Sequence, residues 1–474
     1  MSSTLGMVLL GTSRITGDPI AAAGLLATAV DALRDGGVDE LVVLDPLPEG
    51  PVPAGLRTRT TDGSVAGALA AAADIARAGA HDRILLHRLD HALTPPKQVA
   101  RVLAALDGGA VVAVPVLPVT DTITALDSGV LGRTVDRTDV RAVCSPWGFT
   151  RAALARAAAA PAGSPASSGV EELRRAGAAG ADPGPVVIVP GDPAGASLTD
   201  ELSRHRMALD RPERVLPASP RGEPDDVGAA SLAPHTDAVT GGGVAVVVLA
   251  AGSGTRFGAP VNKAYLPLGG TTVLAHSLRR FAGLPAVGTV VLVIREQDVD
   301  RARAVVDAVG VPVEIVIGSQ TRQGSEHAAL AHLAARIADG SIETVAIHDS
   351  ARPLATAALC REVLAAARRH GGAVPGVLRP ELAVVTGDGT GLLPDTTGPL
   401  VAVQTPQAFD APLLFDAYAA ARAAGFEGTD TASVVARHGG LRAHWVPAPT
   451  TNLKITFAED LPLAEHLLGA RSGD

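Results

Sequence analysis

Aromatic residues make up only 2% of this 474-residue chain, and positive charge is not in excess: 40 lysines and arginines face 49 aspartates and glutamates, a net charge of −9. A surface that grips nucleic acid without sequence preference wants surplus cations and stacking rings, so no nucleic-acid partner is expected. Two cysteines, Cys144 and Cys360, offer neither a disulfide framework nor the paired spacing of a zinc ribbon, and both are expected to be buried thiols. Long apolar runs are missing as well. The longest, residues 244–251, falls far short of the roughly 18 residues a membrane-spanning helix needs. The opening MSSTLGMVLLGTSR has no basic start ahead of its short apolar run, so it does not read as a secretory signal, and a cytoplasmic protein is expected. Lysine is the scarcest charged residue, present only as Lys97, Lys263 and Lys454 against 37 arginines. A lysine in such a background marks a position that wants a compact ammonium rather than a planar fork.

Hydrophobic residues at 47% and charged residues at 19% are ordinary for a folded protein, and the length suits two or three domains. Short β-branched runs at 41–44, 83–87, 110–114, 245–249, 289–294, 313–317 and 344–348 alternate with helical stretches at 21–34, 300–309, 326–337 and 357–369. That alternation predicts an α/β fold with a mostly parallel sheet covered by helices on both faces. Residues 211–243 are rich in Pro, Gly, Ser and Asp and lack periodicity, which divides the chain into domains at 1–211 and 243–474 with a linker at 212–242. Residues 157–185 read as a flexible insertion. The halves resemble each other. LHRLDHA at 86–92 followed by CSPWGF at 144–149 parallels IHDSARP at 347–353 followed by QTPQAF at 404–409, at spacings of 57 residues from His87 to Cys144 and 56 from His348 to Gln404. A tandem duplication follows.

In the second half, the strand at 245–249 runs into AAGSGTRFGAPVNK at 250–263. A glycine-rich turn after a buried strand lets backbone N–H groups approach phosphates, and cations beyond it neutralise their charge. Ala250, Ala251, Gly252 and Gly254 are thus candidate nucleotide-binding positions, with Arg256 and Lys263 as the cations. The pattern is neither the kinase-type phosphate loop nor the dinucleotide fingerprint. Asp349 closes a predicted strand at the end where open α/β sheets place their sites.

With GSQTRQGS at 318–325, HDSARP at 348–353, QTPQAF at 404–409, GTDTAS at 428–433 and TNLKIT at 451–456, the second half resembles the 2-C-methyl-D-erythritol 4-phosphate cytidylyltransferase family over 243–470. The resemblance implies a Rossmann-like nucleotidyltransferase fold that transfers CMP from CTP to a polyol phosphate with Mg²⁺ and releases pyrophosphate. Ribitol-5-phosphate cytidylyltransferases are similar nearly as closely, and a CTP-binding relative without turnover is a further alternative. Carried over by motif, Arg256, Lys263 and Lys454 are catalytic cations, Gly318 and Ser325 read cytosine, Asp349 lies near metal and polyol, and Arg352 and Thr429 bind the acceptor.

The second half departs from that family in two respects. Asn262 stands where proline is usual, which is expected to loosen the loop while keeping the spacing from Arg256. Residues 379–400, RPELAVVTGDGTGLLPDTTGPL, lack the threonine and arginine of the family's substrate-binding arm. The first half keeps that arm at 116–140, with Thr120, Asp121, Thr122, Thr134 and Arg137. It has instead lost the catalytic set: GTSRITGDP replaces the glycine loop, Arg88 and His91 stand in place of Asp349 and Arg352, and no lysine occupies 195–199. In the family's homodimers the arm of one subunit enters the partner's site. The complementary losses therefore predict an intramolecular pseudo-dimer with one composite site, to which the first half contributes Thr122 and Arg137.

Overall fold

The structure, a computed structural model, describes residues 3–10, 19–44, 53–54, 56–61, 65–79, 81–159, 186–192, 243–252, 262–386, 392, 398–458 and 460–472. The expected linker, most of the 157–185 insertion, Gly254, Arg256 and residues 195–199 lie outside the described residues.

Among the described residues, ten strands come from the first half of the sequence: β1 (Thr4–Leu9), β2 (Glu40–Leu44), β3 (Arg57–Arg59), β4 (Arg83–Arg88), β5 (Val112–Pro118), β6 (Thr122–Asp127), β7 (Val130–Val135), β8 (Val140–Val143), β9 (Trp147–Thr150) and β10 (Val186–Pro190). The second half supplies β11 (Val244–Leu249), β12 (Pro267–Leu268), β13 (Thr271–Thr272), β14 (Val287–Ile294), β15 (Glu314–Ile317), β16 (Thr344–Asp349), β17 (Gly372–Leu378), β18 (Leu382–Val384), β19 (Leu400–Val403), β20 (Gln407–Asp410) and β21 (His444–Pro447). No helix among the described residues is long and apolar enough to cross a membrane.

Two compact units result, and neither is one half of the sequence. The first gathers the described residues of Met1–Thr120, Asp136–Gly228 and Arg379–Thr397; the second gathers those of Asp121–Val135, Ala229–Leu378 and Gly398–Asp474. Relative to the contiguous sequence division, the two units exchange two short segments. In the first unit the strand order is β18-β8-β5-β9-β4-β1-β2-β3, with β10 beside β5. In the second it is β15-β14-β11-β16-β20-β17-β19-β6-β7-β21. The hairpin β6–β7 therefore extends the second sheet, with Thr122 opposite Val403 and Leu131 in its core. Reciprocally, β18 lies antiparallel to β8, with Leu382 opposite Ala142 and Ala383 in the first core.

The pairing is mixed rather than mostly parallel. β11, β14, β15 and β16 run parallel, but β20 enters antiparallel to both β16 and β17, and β17 pairs antiparallel with β19. The parallel part is buried on both faces, which is why β11 reads VAVVVL with no polar alternation. Val244, Val246 and Val248 pack toward the helices Val273–Ala282 and Ala357–His370, whereas Ala245 and Val247 pack toward Arg322–Ala338 and Ala411–Ala423. Helix starts follow local capping. Thr321 accepts from the Gly324 N–H, Thr356 from Leu359 and Asp410 from Leu413.

The duplication is written into each unit's register. Arg88 lies opposite Leu9 at the end of β4, as Asp349 lies opposite Leu249 at the end of β16. One residue earlier, His87 Nδ1 is 2.9 Å from Ser145 Oγ and His348 Nδ1 is 3.1 Å from Thr405 Oγ1. The following peptides, Ser145–Pro146 and Thr405–Pro406, are both cis. Cys144 and Cys360 are free and buried, as expected.

Candidate active site

The parallel strands of the second unit end together, and their side chains meet there. Asp349 is held by two cations: Lys454 Nζ is 2.6 Å from its Oδ2 and Arg322 Nη2 is 3.3 Å from its Oδ1. Its backbone N–H is fixed by Thr405 Oγ1 at 3.1 Å. Burial opposes its charge, but Lys454, Arg322 and Arg352 more than offset that and hold the carboxyl well below the usual carboxylate range. Asp349 is therefore ionised at neutral pH.

Residues 452–455 thread between the other motifs. Arg352 donates from Nη1 to the Asn452 carbonyl at 2.8 Å, the Ile455 N–H donates to the Ala351 carbonyl at 2.8 Å, and Lys263 Nζ donates to the Ile455 carbonyl at 2.9 Å. Asn452 is itself fully buried and donates to Gln404 Oε1 and the Thr405 carbonyl. Lys263, Asp349, Arg352 and Lys454, separated by up to 191 positions in the sequence, thus converge on one short segment. Arg352 is 3% exposed, and its Nη2 donates to Asp121 Oδ1 at 2.8 Å. Asp121 directly precedes β6, so the hairpin from the first half brings Asp121 and Thr122 to this unit.

The loop that Asn262 was expected to loosen, 253–261, lies outside the described residues. Asn262 itself is buried, donates from Nδ2 to the Ala250 carbonyl at 2.6 Å and accepts the Ala264 N–H at 3.1 Å, capping the short turn Lys263–Tyr265. The asparagine ties the lysine end of the loop to the strand from which the loop departs. Ala250 is buried, Ala251 half-buried and Gly252 exposed; Gly254 and Arg256 lie outside the described residues.

Gly318 packs against the second half of the expected cytosine pocket. A Cβ there would come within 2.8 Å of Ser325 Oγ, 2.9 Å of Val293 Cγ1 and 3.0 Å of Ala251 Cβ, so only glycine allows this approach. Ser325 Oγ accepts the Ser319 N–H at 3.0 Å and donates to the Thr321 carbonyl at 2.9 Å. Gln323 clamps the 426–428 backbone, accepting the Gly428 N–H and donating to the Phe426 carbonyl. Beyond the clamp Thr429 is exposed, and Asp430 caps the short helix Thr431–Val434. Arg137 sits in the first unit, in an exposed turn, with Nη1 3.4 Å from the Thr120 carbonyl.

Arg322 and Glu326 were not singled out by motif reasoning. Their signal is an i,i+4 Arg–Glu pair at a helix start, which ordinarily marks a solvated surface. In the first unit the corresponding strand end carries the opposite charge. The Arg88 backbone N–H donates to Ser145 Oγ at 2.9 Å, and its side chain is closed onto Asp90 by bonds of 2.9 and 2.7 Å. That end of the sheet keeps the scaffold but has an arginine at the strand-end position that Asp349 occupies in the second unit.

The model of the family described as 2-C-methyl-D-erythritol 4-phosphate cytidylyltransferase matches residues 23–203 and again 244–470. A bifunctional IspD/IspF enzyme of Clavibacter michiganensis is 41% identical over 249 residues, spanning 51% of this chain and 58% of that protein's length. The 2-C-methyl-D-erythritol 4-phosphate cytidylyltransferases of Acidobacterium capsulatum and Symbiobacterium thermophilum are 37% and 41% identical, each over 48% of this chain and over 98% and 92% of their own lengths. Matched twice along its length, the chain belongs to the 2-C-methyl-D-erythritol 4-phosphate cytidylyltransferase family and carries two copies of its domain.

Proposed function

We propose that the chain transfers CMP from CTP to 2-C-methyl-D-erythritol 4-phosphate at a single site carried by the second unit. An acceptor phosphate oxygen attacks the α-phosphorus of CTP. A new P–O bond forms, the bond to the bridging oxygen breaks, and pyrophosphate leaves with that oxygen. The acceptor phosphate is already ionised, so no covalent nucleophile is required, and fixed cations that meet developing charge supply the catalysis. Lys263 and Lys454 serve as those cations, and the motif match gives Arg256 the same role. Asp349 orients the acceptor's hydroxyls, Arg352 and Thr122 bind it, Thr429 touches it, and Gly318 and Ser325 receive cytosine. The observation that carries this reading is the convergence of Lys263, Asp349, Arg352 and Lys454 on residues 452–455.

Among the described residues no three His, Cys, Asp or Glu side chains gather as a metal site. Asp349 is ionised but has a cation on each oxygen. One such carboxylate suits a Mg²⁺ ion that rides on nucleotide phosphates and keeps most of its waters, rather than one held by protein alone. When bound, Mg²⁺ would neutralise phosphate charge. The reciprocal strands β6 and β18 support the further reading of the two repeats as an internal pseudo-dimer, with the first half serving as arm donor.

The test is incubation of the purified chain with CTP, Mg²⁺ and either 2-C-methyl-D-erythritol 4-phosphate or ribitol 5-phosphate, following pyrophosphate. Release with the first acceptor is expected. Release with ribitol 5-phosphate alone reassigns the acceptor, and silence with both while CTP still raises the melting temperature identifies a binding protein without turnover.

A further inference from the structure

The second unit contains a buried carboxylate that the proposed reaction does not use. Glu326 is 1% exposed on the first turns of the helix Arg322–Ala338, directly after Ser325. Its Oε1 is 2.8 Å from Arg322 Nη1 and accepts Thr431 Oγ1 at 3.2 Å, while its Oε2 accepts the hydroxyl of Tyr418. Tyr418 and Thr431 are fully buried. An ionisable group so far from water is retained at a cost unless its partners hold it in one geometry. Here the partners come from three elements, and the cation among them reaches onward. The other terminal nitrogen of Arg322 is the one on Asp349 Oδ1. Two carboxylates thus share one guanidinium, and Lys454 closes the row on the far side of Asp349.

We infer that Glu326 is a positioning residue: through Arg322 it sets the orientation of the Asp349 carboxylate, coupling the Ser325 turn and the segment at Thr431 to the strand end that handles the acceptor. Glu326 touches neither Asp349 nor any residue assigned to the acceptor. An Arg322 without Glu326 is free to swing toward solvent or to lie wholly on Asp349, and either motion turns the carboxylate away from its Lys454-bound orientation. The inference rests on the functional reading above for the meaning of Asp349, but the linkage itself is physical and is read without turnover.

In the full-length chain, Glu326→Gln keeps the side-chain volume and one acceptor oxygen, enough for Tyr418 or for Thr431, while removing the charge that faces Arg322. It is expected to raise the acceptor KM about fivefold or more and to leave the Kd for CTP, measured by calorimetry, within about twofold. Arg322→Met should produce the same acceptor defect, and Glu326→Gln should add nothing to it, because both act along one path. A wild-type acceptor KM in Glu326→Gln, or effects of the two substitutions that multiply, would overturn the inference. Melting temperatures of Glu326→Gln, Asp349→Asn and the double variant supply the readout that needs no activity. Non-additivity of about 2 °C or more is expected, and it should vanish in an Arg322→Met background. Additive shifts overturn the coupling even if the wild-type chain is inactive with every acceptor, whereas that inactivity alone overturns only the functional reading.

Discussion

Arg352 gives an N–H to Asp121 at 2.8 Å across 231 positions of sequence, so a guanidinium from one repeat is oriented by a carboxylate from the other. Its second terminal nitrogen is fixed on the Asn452 carbonyl, which leaves the fork little freedom. Asp121→Ala is expected to free one arm of that fork. Loss of a charged hydrogen bond of about 1.5–3 kcal/mol raises the acceptor KM roughly ten- to a hundredfold and leaves CTP affinity unchanged. Asp121→Asn, which keeps an acceptor oxygen, should recover part of the loss. Steady-state kinetics on both variants check this, and an alanine variant with normal acceptor KM would show that Arg352 needs no partner from the first half.

Lys454→Met should make the protein more acid-sensitive. Asp349 has a depressed pKa, so its contribution to stability is full above the ordinary carboxylate range and is lost as pH falls toward the lower folded-state value. Removing Lys454 raises that folded-state value and moves the loss to higher pH. Acid titration followed through the fluorescence of Trp147 and Trp445 should give a higher unfolding midpoint for the variant. An unchanged midpoint would mean Arg322 alone holds the charge.

Two buried histidines predict a second slope nearer neutrality. Burial lowers His348 to about 4 and His87 to about 3, against 6.5 when unfolded. The unfolded chain then binds more protons between those values, so stability is full above pH 6.5 and declines as pH falls toward 4. His348→Gln should flatten this decline in melting temperature measured from pH 8 to pH 4. A slope identical to wild type would show that His348 does not change protonation on unfolding.

Residues 243–474 produced alone should bind CTP but turn over poorly. They lack Asp121, and β19, whose Val401 and Val403 are buried beside β6, becomes an open edge. Adding residues 1–211 in trans should restore pyrophosphate release. Full activity of the isolated piece would show the hairpin to be dispensable.

Much of the site was readable because rare residues carry it. Lys263 and Lys454 stand out in an arginine-rich chain, and Asp349 closes a strand whose apolar run announces burial on both faces. What depends on a distant partner was not readable. Asp121 sits within a Thr-Asp-Thr that suggests phosphate contact through its threonines, and nothing local points to an arginine 231 positions away. Glu326 looks like a surface partner for Arg322 until Tyr418 and Thr431 are found above it. Nothing local to Asn262 shows that it caps the next turn, which depends on the Ala250 carbonyl lying within reach. The sheets that β6–β7 and β18 join were not readable for the same reason, since composition assigns a strand to its neighbours in sequence while hydrogen bonds assign it to its sheet.

The reciprocal placement of β6 and β18 has a consequence for how such a chain changes over generations. When an arm is exchanged between identical subunits, each substitution is imposed on every copy of the site at once, so no part of the arm or of the strand end can be given up. Encoded on one chain, the two copies mutate separately. Arg88 can replace a carboxylate in one repeat while Asp349 persists in the other, and residues 379–400 can lose the threonine and arginine that residues 116–140 retain. On the proposed single-site reading, covalent joining converts a symmetric requirement into a division of labour, and purifying selection then needs to guard only one complete set.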